Sequence, residues 1–363
     1  PPTPPHTPHP TRRPPAHQCL RMILRPPRST PLNLRRQRQM CIRDRKILLA
    51  KPRDTVQWAL YFPPVIKADA EGNTLEQASA LLYKGRVKEA TVLLAGIEGS
   101  GSAKALQTII AIVNNDKEKA FALAKEAVQL APDSAAPHIA MSYAWQAQLN
   151  LSQALASAKQ ATNKAPDDAI AWSRLAELQL SVGELSNAQE SATRASELDP
   201  SIARTQTILA YAYLTQIDIS QARATFNKAI DLDQNDPLPH LGLGLAMIRQ
   251  NELAAGRREI EIAASLDPNN AIIRSYLGKA YYEEKRGPLD AEQFAMAKEL
   301  DPNDPTPYYY NAIRKQTEND PVGALADLNK SIELNDNRAV FRSSLQLDQV
   351  LSLIHISEPT RLC

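Results

Sequence analysis

Alanine recurs at a strict interval of 34 residues through the middle of this chain. The series runs Ala127, Ala161, Ala195, Ala229, Ala263 and Ala297, and Ser331 follows at the same interval. A fixed period of this length is typical of stacked helical hairpins, in which each unit buries its apolar face only against its neighbours. The chain is therefore expected to fold as a stack of helices instead of around one central core.

Two further columns of the 34-residue register hold small side chains. With lines starting at residue 101, position 8 includes Ala176 and Ala210, and position 20 includes Ala154 and Ala188. Small residues are needed where two helices cross, because interaxial distances of about 8–10 Å leave no room there for a long side chain. These columns predict the contacts within and between hairpins.

Proline marks the end of most lines. Position 32 holds proline in five of seven lines, and proline stops a helix because it lacks a backbone N–H and clashes with the preceding turn. Polar residues follow whose side chains can accept the free N–H groups of a new helix, and they are Ser134, Asp168, Asp236, Asn270 and Asp304. Each line thus predicts a helix, a short turn, a second helix and a stop.

This pattern resembles the tetratricopeptide repeat family. The line 169–202 carries the residues typical of the family, which are Trp172, Leu175, Ala176, Gly183, Ala188, Ala195, Leu198, Asp199 and Pro200. The chain departs from the family pattern at Gly256 and Asp290, which stand in place of the position-20 alanine. The resemblance implies an all-α, right-handed superhelical solenoid of antiparallel helix pairs that acts as a protein-binding scaffold.

The register divides the chain into segments. Seven 34-residue repeats cover 101–338, and a degenerate repeat over 71–100, in which Gly85, Ala90 and Leu94 keep the order, extends the predicted solenoid to 71–338. Residues 46–70 are interpreted as a linker or cap remnant, and 339–351 as the start of a further helix. The segments 1–45 and 352–363 are interpreted as disordered tails, and the missing caps suggest that the natural protein is longer.

The two tails are interpreted as artefacts. Residues 37–45 and 352–363 resemble translated sequencing-adapter DNA, as found at the ends of bacterial metagenomic fragments. The first 45 residues hold 11 of the 27 prolines and carry about +9, which leaves about −7 for residues 46–351 out of the net +2. The basic charge therefore does not belong to the repeats, and we expect no nucleic-acid partner.

Candidate catalytic and metal-binding residues all have simpler roles in the repeat. The three cysteines lie in the tails. His138 and His240 occupy position 4, the slot of Trp172, which predicts packing instead of catalysis. Asp231 and Asp233 resemble the start of a calcium loop, but Asp236 stands where that loop needs glycine. We therefore expect no enzyme activity, no cofactor and no metal, and no apolar run is long enough for membrane insertion.

The remaining candidate site is the groove that the family forms with its first helices. Positions 2, 5, 9 and 12 of each line face inward in that family. When these positions are transferred to this chain one residue at a time, the resemblance predicts a set of partner-binding residues. They are Tyr143, Glu177, Arg204, Tyr211, Leu241, Leu245, Lys279, Tyr282 and Tyr309. Tyrosine combines a large apolar face with a hydrogen-bonding tip and therefore suits recognition. The alternative is that several of these side chains only pack against the next hairpin.

The predicted function is a non-catalytic scaffold that binds a protein, as a peptide or a helix, in this groove. The alternative is a substrate-presenting arm of a larger envelope enzyme, such as a glycosyltransferase. Residues 51–66 resemble the junction at which a FecR-like domain leads into tetratricopeptide repeats in bacterial envelope proteins. This resemblance favours a periplasmic or envelope location over the cytoplasm, although the sequence leaves the compartment open.

Overall fold

The chain is built from helices throughout its described part. The computed structural model describes residues 72–83, 86–114, 116–148 and 150–334, and within these ranges it shows sixteen α-helices and no strand. The predicted all-α solenoid is thereby confirmed. The segments assigned as tails, linker and further helix (1–45, 46–70, 339–351 and 352–363), with Gly85, lie outside the described residues.

The helices alternate as first and second members of hairpins. They are α1 (Gly72–Tyr83), α2 (Val87–Ala95), α3 (Gly101–Val113), α4 (Lys117–Leu130), α5 (Ala135–Ala147), α6 (Leu151–Lys164), α7 (Ala169–Val182), α8 (Leu185–Leu198), α9 (Ala203–Thr215), α10 (Ile219–Leu232), α11 (Pro237–Arg249), α12 (Leu253–Leu266), α13 (Ala271–Glu283), α14 (Leu289–Leu300), α15 (Thr306–Thr317) and α16 (Pro321–Glu333). The two helices of each hairpin pack together, and the second helix of each hairpin packs on the first helix of the next.

Amphipathic patterning explains the second helices. In α8 the buried residues are Ala188, Ser191, Ala192 and Ala195, of which the last three follow Ala188 by three, four and seven positions, and the other residues of this stretch are wholly or partly exposed. This spacing places one narrow stripe of small side chains against the stack. None of the helices in the described part of the chain is long and apolar enough to cross a bilayer.

Predicted polar residues bond to the backbone at the start of four first helices, α7, α11, α13 and α15. Asp168, Asp236, Asn270 and Asp304 each accept a hydrogen bond from the backbone N–H two residues later. The prediction for Ser134 is wrong, because its side chain accepts no capping bond. The third residue of α5 is Pro137, which has no N–H to donate, and this removes one of the usual partners of a capping side chain.

The small-residue columns are the places where hairpins close. Gly244 in α11 faces Gly256 in α12 so closely that a Cβ on Gly244 would lie 2.6 Å from the carbonyl oxygen of Gly256. Gly244 and Gly256 occupy positions 8 and 20 of the register, so the predicted role of these two columns in helix contacts is confirmed here. Apolar packing continues through the stack, since one cluster runs from Ala176 in α7 to Tyr310 in α15. The first helices are therefore held in a fixed register.

Candidate functional site

The first helices lie on one side of the stack. Contacts join α1 to α3, α3 to α5, α5 to α7, α7 to α9, α9 to α11, and α13 to α15, whereas in the described part of the chain the second helices contact mainly first helices. Helices that approach one another more closely lie on the inner side of a curved stack. We call the side formed by α3, α5, α7, α9, α11, α13 and α15 the inner face.

A buried arginine lies at the centre of the inner face. The guanidinium group of Arg174 donates from Nε to Ser142 Oγ (2.8 Å), from Nη1 to Glu177 Oε2 (3.0 Å) and from Nη2 to Gln146 Oε1 (2.6 Å). Its central carbon lies 3.5 Å from the ring centroid of Tyr143, which is a cation–π contact. Each guanidinium nitrogen of Arg174 donates a hydrogen bond within the chain, and 1% of the residue's surface is exposed. The charge of Arg174 therefore has a structural role.

A second arginine joins this group from the next hairpin. Nη2 of Arg204 in α9 donates to the hydroxyl oxygen of Tyr143 (2.9 Å) and to Glu177 Oε2 (2.7 Å). Tyr143, Arg174, Glu177 and Arg204 are called the arginine cluster below. Its members come from α5, α7 and α9, so the cluster ties three consecutive hairpins together.

The charges of the cluster determine its protonation states. Burial opposes ionisation of Glu177, but the positive charges of Arg204 and Arg174 outweigh it and hold the pKa of this carboxyl below its ordinary value. Burial raises the pKa of the Tyr143 hydroxyl. Burial also opposes the charge of Arg204, yet its attraction to Tyr143 and Glu177 leaves its pKa above the ordinary value. The cluster thus holds two guanidinium cations and one carboxylate.

The apolar part of the predicted groove is packed within the chain. Tyr211 has no exposed surface, donates its hydroxyl to the carbonyl oxygen of Leu238 (2.7 Å) and meets the ring of Phe226 edge-on at 4.9 Å. Leu241 and Leu245 are buried in the same cluster. Their side chains therefore contribute to packing in this structure, and their role as partner contacts stays a prediction.

The last two predicted hairpins hold both buried and accessible candidates. Lys279 is buried, and its Nζ pairs with Glu283 Oε1 at 2.8 Å. Tyr282 and Tyr309 are half-buried, and the ring of Tyr309 lies 5.4 Å from that of Tyr310. The hydroxyl of Tyr282 forms no hydrogen bond with the described residues. Of the predicted tyrosines, Tyr282 is thus partly exposed, and its hydroxyl has no partner among the described residues.

Position 4 of the repeat has a recurring structural role. Nε2 of His138 lies 2.9 Å from the carbonyl oxygen of Pro132, six residues earlier, and Nε1 of Trp172 donates to Pro166 O at 2.8 Å in the same way. Six residues before His240 the chain has Gln234 instead of proline. Here the histidine has a different partner, and its Nδ1 lies 2.8 Å from Glu259 Oε2. Both histidines are therefore part of the hairpin joints. In the described residues, no group of three or more His, Cys, Asp or Glu side chains lies close enough to hold a metal ion.

The hairpin geometry agrees with a known family. Residues 174–237 and 241–305 match the tetratricopeptide repeat family model. The chain contains tetratricopeptide repeats. The resemblance in the 34-residue columns is confirmed, and no curated protein matches the sequence.

Solved structures share the tetratricopeptide repeat fold at low sequence identity. The APC/C hetero-tetramer Cut9–Hcn1 has 17% identity and a TM-score of 0.61, and the match covers 76% of this chain but 55% of that one. The human IFIT1 dimer with PPP-AAAA has 15% identity, a TM-score of 0.56 and coverages of 78% and 74%. A tetratricopeptide repeat protein from Parabacteroides merdae ATCC 43184 has 15% identity, a TM-score of 0.50 and coverages of 69% and 98%. At these identities the likeness concerns the fold.

The inner columns of the tetratricopeptide repeat predict three members of the arginine cluster but not Arg174. Tyr143, Glu177 and Arg204 were predicted from positions 9, 9 and 2, and the structure brings all three together. Arg174, at position 6, was not predicted, because that position is outside the carried-over columns. The sequence signal that points to Arg174 is a charged residue at a position that faces the neighbouring first helix.

Asp236 is expected to make stability depend on pH. It caps α11 through Leu238 N–H, and burial, reinforced by Asp233, raises its pKa from 3.8 to about 6. The folded state therefore binds the proton more tightly than the unfolded state, so this carboxyl destabilises the fold increasingly as pH rises from about 4 to about 6. Two pKa units correspond to about 3 kcal/mol.

The measurement compares the parent with Asp236→Asn, which keeps a capping oxygen. We expect the stability of the parent relative to the variant, from urea unfolding, to rise by about 2 kcal/mol between pH 7 and pH 4, since the unfolded carboxyl is itself partly protonated at pH 4. Asp168→Asn controls for the loss of a carboxylate cap, because Asp168 caps α7 from the same repeat position. A difference between parent and Asp236→Asn that stays constant with pH would contradict the expectation.

Proposed function

We propose that the chain is a non-catalytic scaffold whose inner face binds a protein partner as an extended peptide or a helix. Tetratricopeptide repeats support a protein-interaction scaffold in general. The finer proposal is supported by one observation, the half-buried side chain of Tyr282 on α13, whose hydroxyl is unused among the described residues. Tyrosine in such a position can add ring contact and a hydrogen bond with little loss of conformational entropy.

The structure distinguishes Tyr211 from Tyr282, two of the four tyrosines that are predicted as recognition residues from the sequence. Tyr211 bonds to Leu238 and packs on Phe226, so its removal would disturb the core. Tyr282 has no such partner, so its removal would affect the surface. A binding test therefore uses Tyr282→Ala, with Tyr308→Ala as the matched control. Tyr308 is also half-buried, but it occupies position 4, where its hydroxyl approaches Pro302 O at 3.5 Å.

The expected result is a loss of affinity in one variant only. With pooled, fluorescently labelled random heptapeptides as the probe, Tyr282→Ala should raise the dissociation constant by about tenfold or more, as for an aromatic hot spot. Tyr308→Ala should leave the constant within about a factor of two. Equal binding by all three proteins, with thermal unfolding unchanged, would place the site away from the inner face of α13.

A further inference from the structure

The turn between α9 and α10 contains an isoleucine in a strained backbone conformation. Ile217 has a φ of 70°, in the left-handed region, which a β-branched residue rarely adopts. It occupies position 15 of the repeat, and the residues with a positive φ at this position in other turns are Gly183, Asn251, Lys285 and Asn319. Glycine and asparagine tolerate the left-handed region at low cost. Isoleucine is therefore a less stable choice here than the asparagine of the next hairpin.

Packing within the described part of the chain does not compensate for this strain. Ile217 is 60% exposed, so much of its side chain contacts no other described residue. A strained residue persists where other contacts hold it, and such residues cluster at binding sites. A large apolar side chain that is both strained and exposed therefore points to a contact with another molecule.

Apolar side chains continue from Ile217 onto the preceding turn. Nε2 of Gln216 donates to the carbonyl oxygen of Leu185 at 3.2 Å, which joins this turn to the turn between α7 and α8. In that neighbouring turn Val182 is 40% exposed and Leu185 is half-buried, and Ile219 is half-buried at the start of α10. We call Val182, Leu185, Ile217 and Ile219 the turn edge. It is an apolar surface that two adjacent hairpins share.

Negative charge borders the turn edge. The segments 182–187 and 216–221 contain two acidic residues, Glu184 and Asp218, and no lysine or arginine. Asp218 is exposed and Glu184 is half-buried, and neither forms an ion pair in the described part of the chain. Arg223 of α10 is already paired with Glu252. An apolar centre with two free carboxylates beside it is complementary to an apolar side chain between cations.

We propose that the turn edge binds a protein partner through a large apolar side chain that is flanked by lysine or arginine. This site goes beyond the proposed function, because it uses the hairpin turns instead of the inner face. The apolar side chain of the partner covers Ile217 and supplies the contact that compensates for its strain. The flanking cations lie beside Glu184 and Asp218. The same two carboxylates repel a nucleic acid or an anionic membrane surface.

The binding test uses the full chain and three pools of fluorescently labelled heptapeptides with blocked termini. The central residues are leucine between two lysines in the first pool, leucine between two glutamates in the second, and serine between two lysines in the third. Burial of one leucine side chain corresponds to a gain in affinity of about tenfold or more. We expect the first pool to bind at least about tenfold more tightly than the others. Equal binding of the three pools, or no binding, overturns the proposal.

The decisive variant is Ile217→Asn, because it should change stability and binding in opposite directions. Asparagine occupies the same position in the turn between α11 and α12, as Asn251. We expect the unfolding temperature to rise by about 2–4 °C, since the strain is released. The affinity for the first pool should fall by about tenfold. A lower unfolding temperature or an unchanged affinity contradicts the proposal.

Further variants test the apolar and the charged parts of the site. Val182→Ser should weaken binding of the first pool severalfold. Asp218→Asn, which keeps a capping oxygen for α10, combined with Glu184→Gln should remove the preference for lysine over glutamate. Ile262→Asn is the matched control, because Ile262 is 42% exposed but helical and lies in α12. It should neither raise the unfolding temperature nor change the binding of the pools.

The outcomes separate this proposal from the proposed function. Tyr282 lies two hairpins beyond Ile217, so Tyr282→Ala should leave the preference for the first pool unchanged. If Tyr282→Ala removes the preference and Ile217→Asn does not, the inner face binds these peptides and the turn-edge site is wrong. If only Ile217→Asn weakens peptide binding, the turn-edge site stands and the inner-face site is wrong. If the parent sediments as a dimer and Ile217→Asn as a monomer, the turn edge binds a second copy of the chain, which overturns the proposal.

Discussion

Replacing Glu177 with glutamine is expected to lower the free energy of unfolding by about 3–5 kcal/mol, because it leaves two buried guanidinium groups without a carboxylate. The carboxylate accepts from Arg174 and from Arg204, and its side chain is 5% exposed. The amide keeps the shape but loses the charge. Urea unfolding followed by circular dichroism at pH 7 measures the change.

The control for this prediction is an exposed acidic residue. Glu197→Gln removes a carboxylate that is 64% exposed and 4.0 Å from Arg194, and its effect should stay within about 0.5 kcal/mol. A loss of less than about 1 kcal/mol for Glu177→Gln would show that the cluster does not depend on its charge.

Glu177 and Asp236 should also respond to pH in opposite directions. The pKa of Glu177 is lowered in the folded state, since the two arginine charges outweigh its burial, so its stabilising contribution is present above the ordinary value of 4.5 and is lost as pH falls below it. The pKa of Asp236 is raised by burial, so acidification to pH 4 favours the fold. Comparing Glu177→Gln with Asp236→Asn therefore separates the two contributions.

The second large effect is expected at Phe226. Its ring is fully buried and meets Tyr211 edge-on at 4.9 Å with an interplanar angle of 78°. Phe226→Ala should cost about 3–5 kcal/mol, because it removes this contact and leaves a cavity beneath α11. Phe121→Ala, at a partly exposed ring in α4, is the matched control and should cost less.

Gly242 provides a test of how closely the ring of Phe226 packs against α11. A Cβ added to Gly242 would clash with the ring of Phe226. Gly242→Ala should therefore destabilise the parent by about 1–3 kcal/mol, although alanine is the better helix former. In the Phe226→Ala background the added methyl group has room, and the same substitution should be neutral or stabilising. Equal costs in both backgrounds would exclude the steric explanation.

The sequence predicted the hairpins well because their signals are local. Proline ends, capping residues such as Asp168 and Asn270, and the 34-residue alanine column depend on neighbours along the chain or on one recurring crossing. The failure at Ser134 is also local, since Pro137 occupies the place of a donor. These features can be predicted without knowing the curvature of the hairpin stack.

The site was less predictable because exposure depends on distances between hairpins. The register placed Tyr211 and Tyr282 in inner columns, but only the structure shows that Tyr211 is buried against Phe226 whereas Tyr282 stays accessible. Likewise, position 24 holds Ala192 in the third line and Phe226 in the fourth. The ring of Phe226 meets Tyr211 and lies against Gly242, and periodicity alone does not show these contacts.

The bond from Arg204 to Tyr143 joins residues 61 positions apart, in hairpins that are not adjacent. In a simple repeat array each unit interacts only with its neighbours, so units can be duplicated or lost with little effect on the remainder. The second, third and fourth repeats do not have that freedom. A deletion of the third repeat would preserve the 34-residue register, yet it would remove Arg174 and Glu177 together and place Tyr143 and Arg204 in adjacent hairpins, where the offset that their bond spans is lost. These three repeats therefore act as one interacting unit, which cannot lose its middle member without losing the cluster.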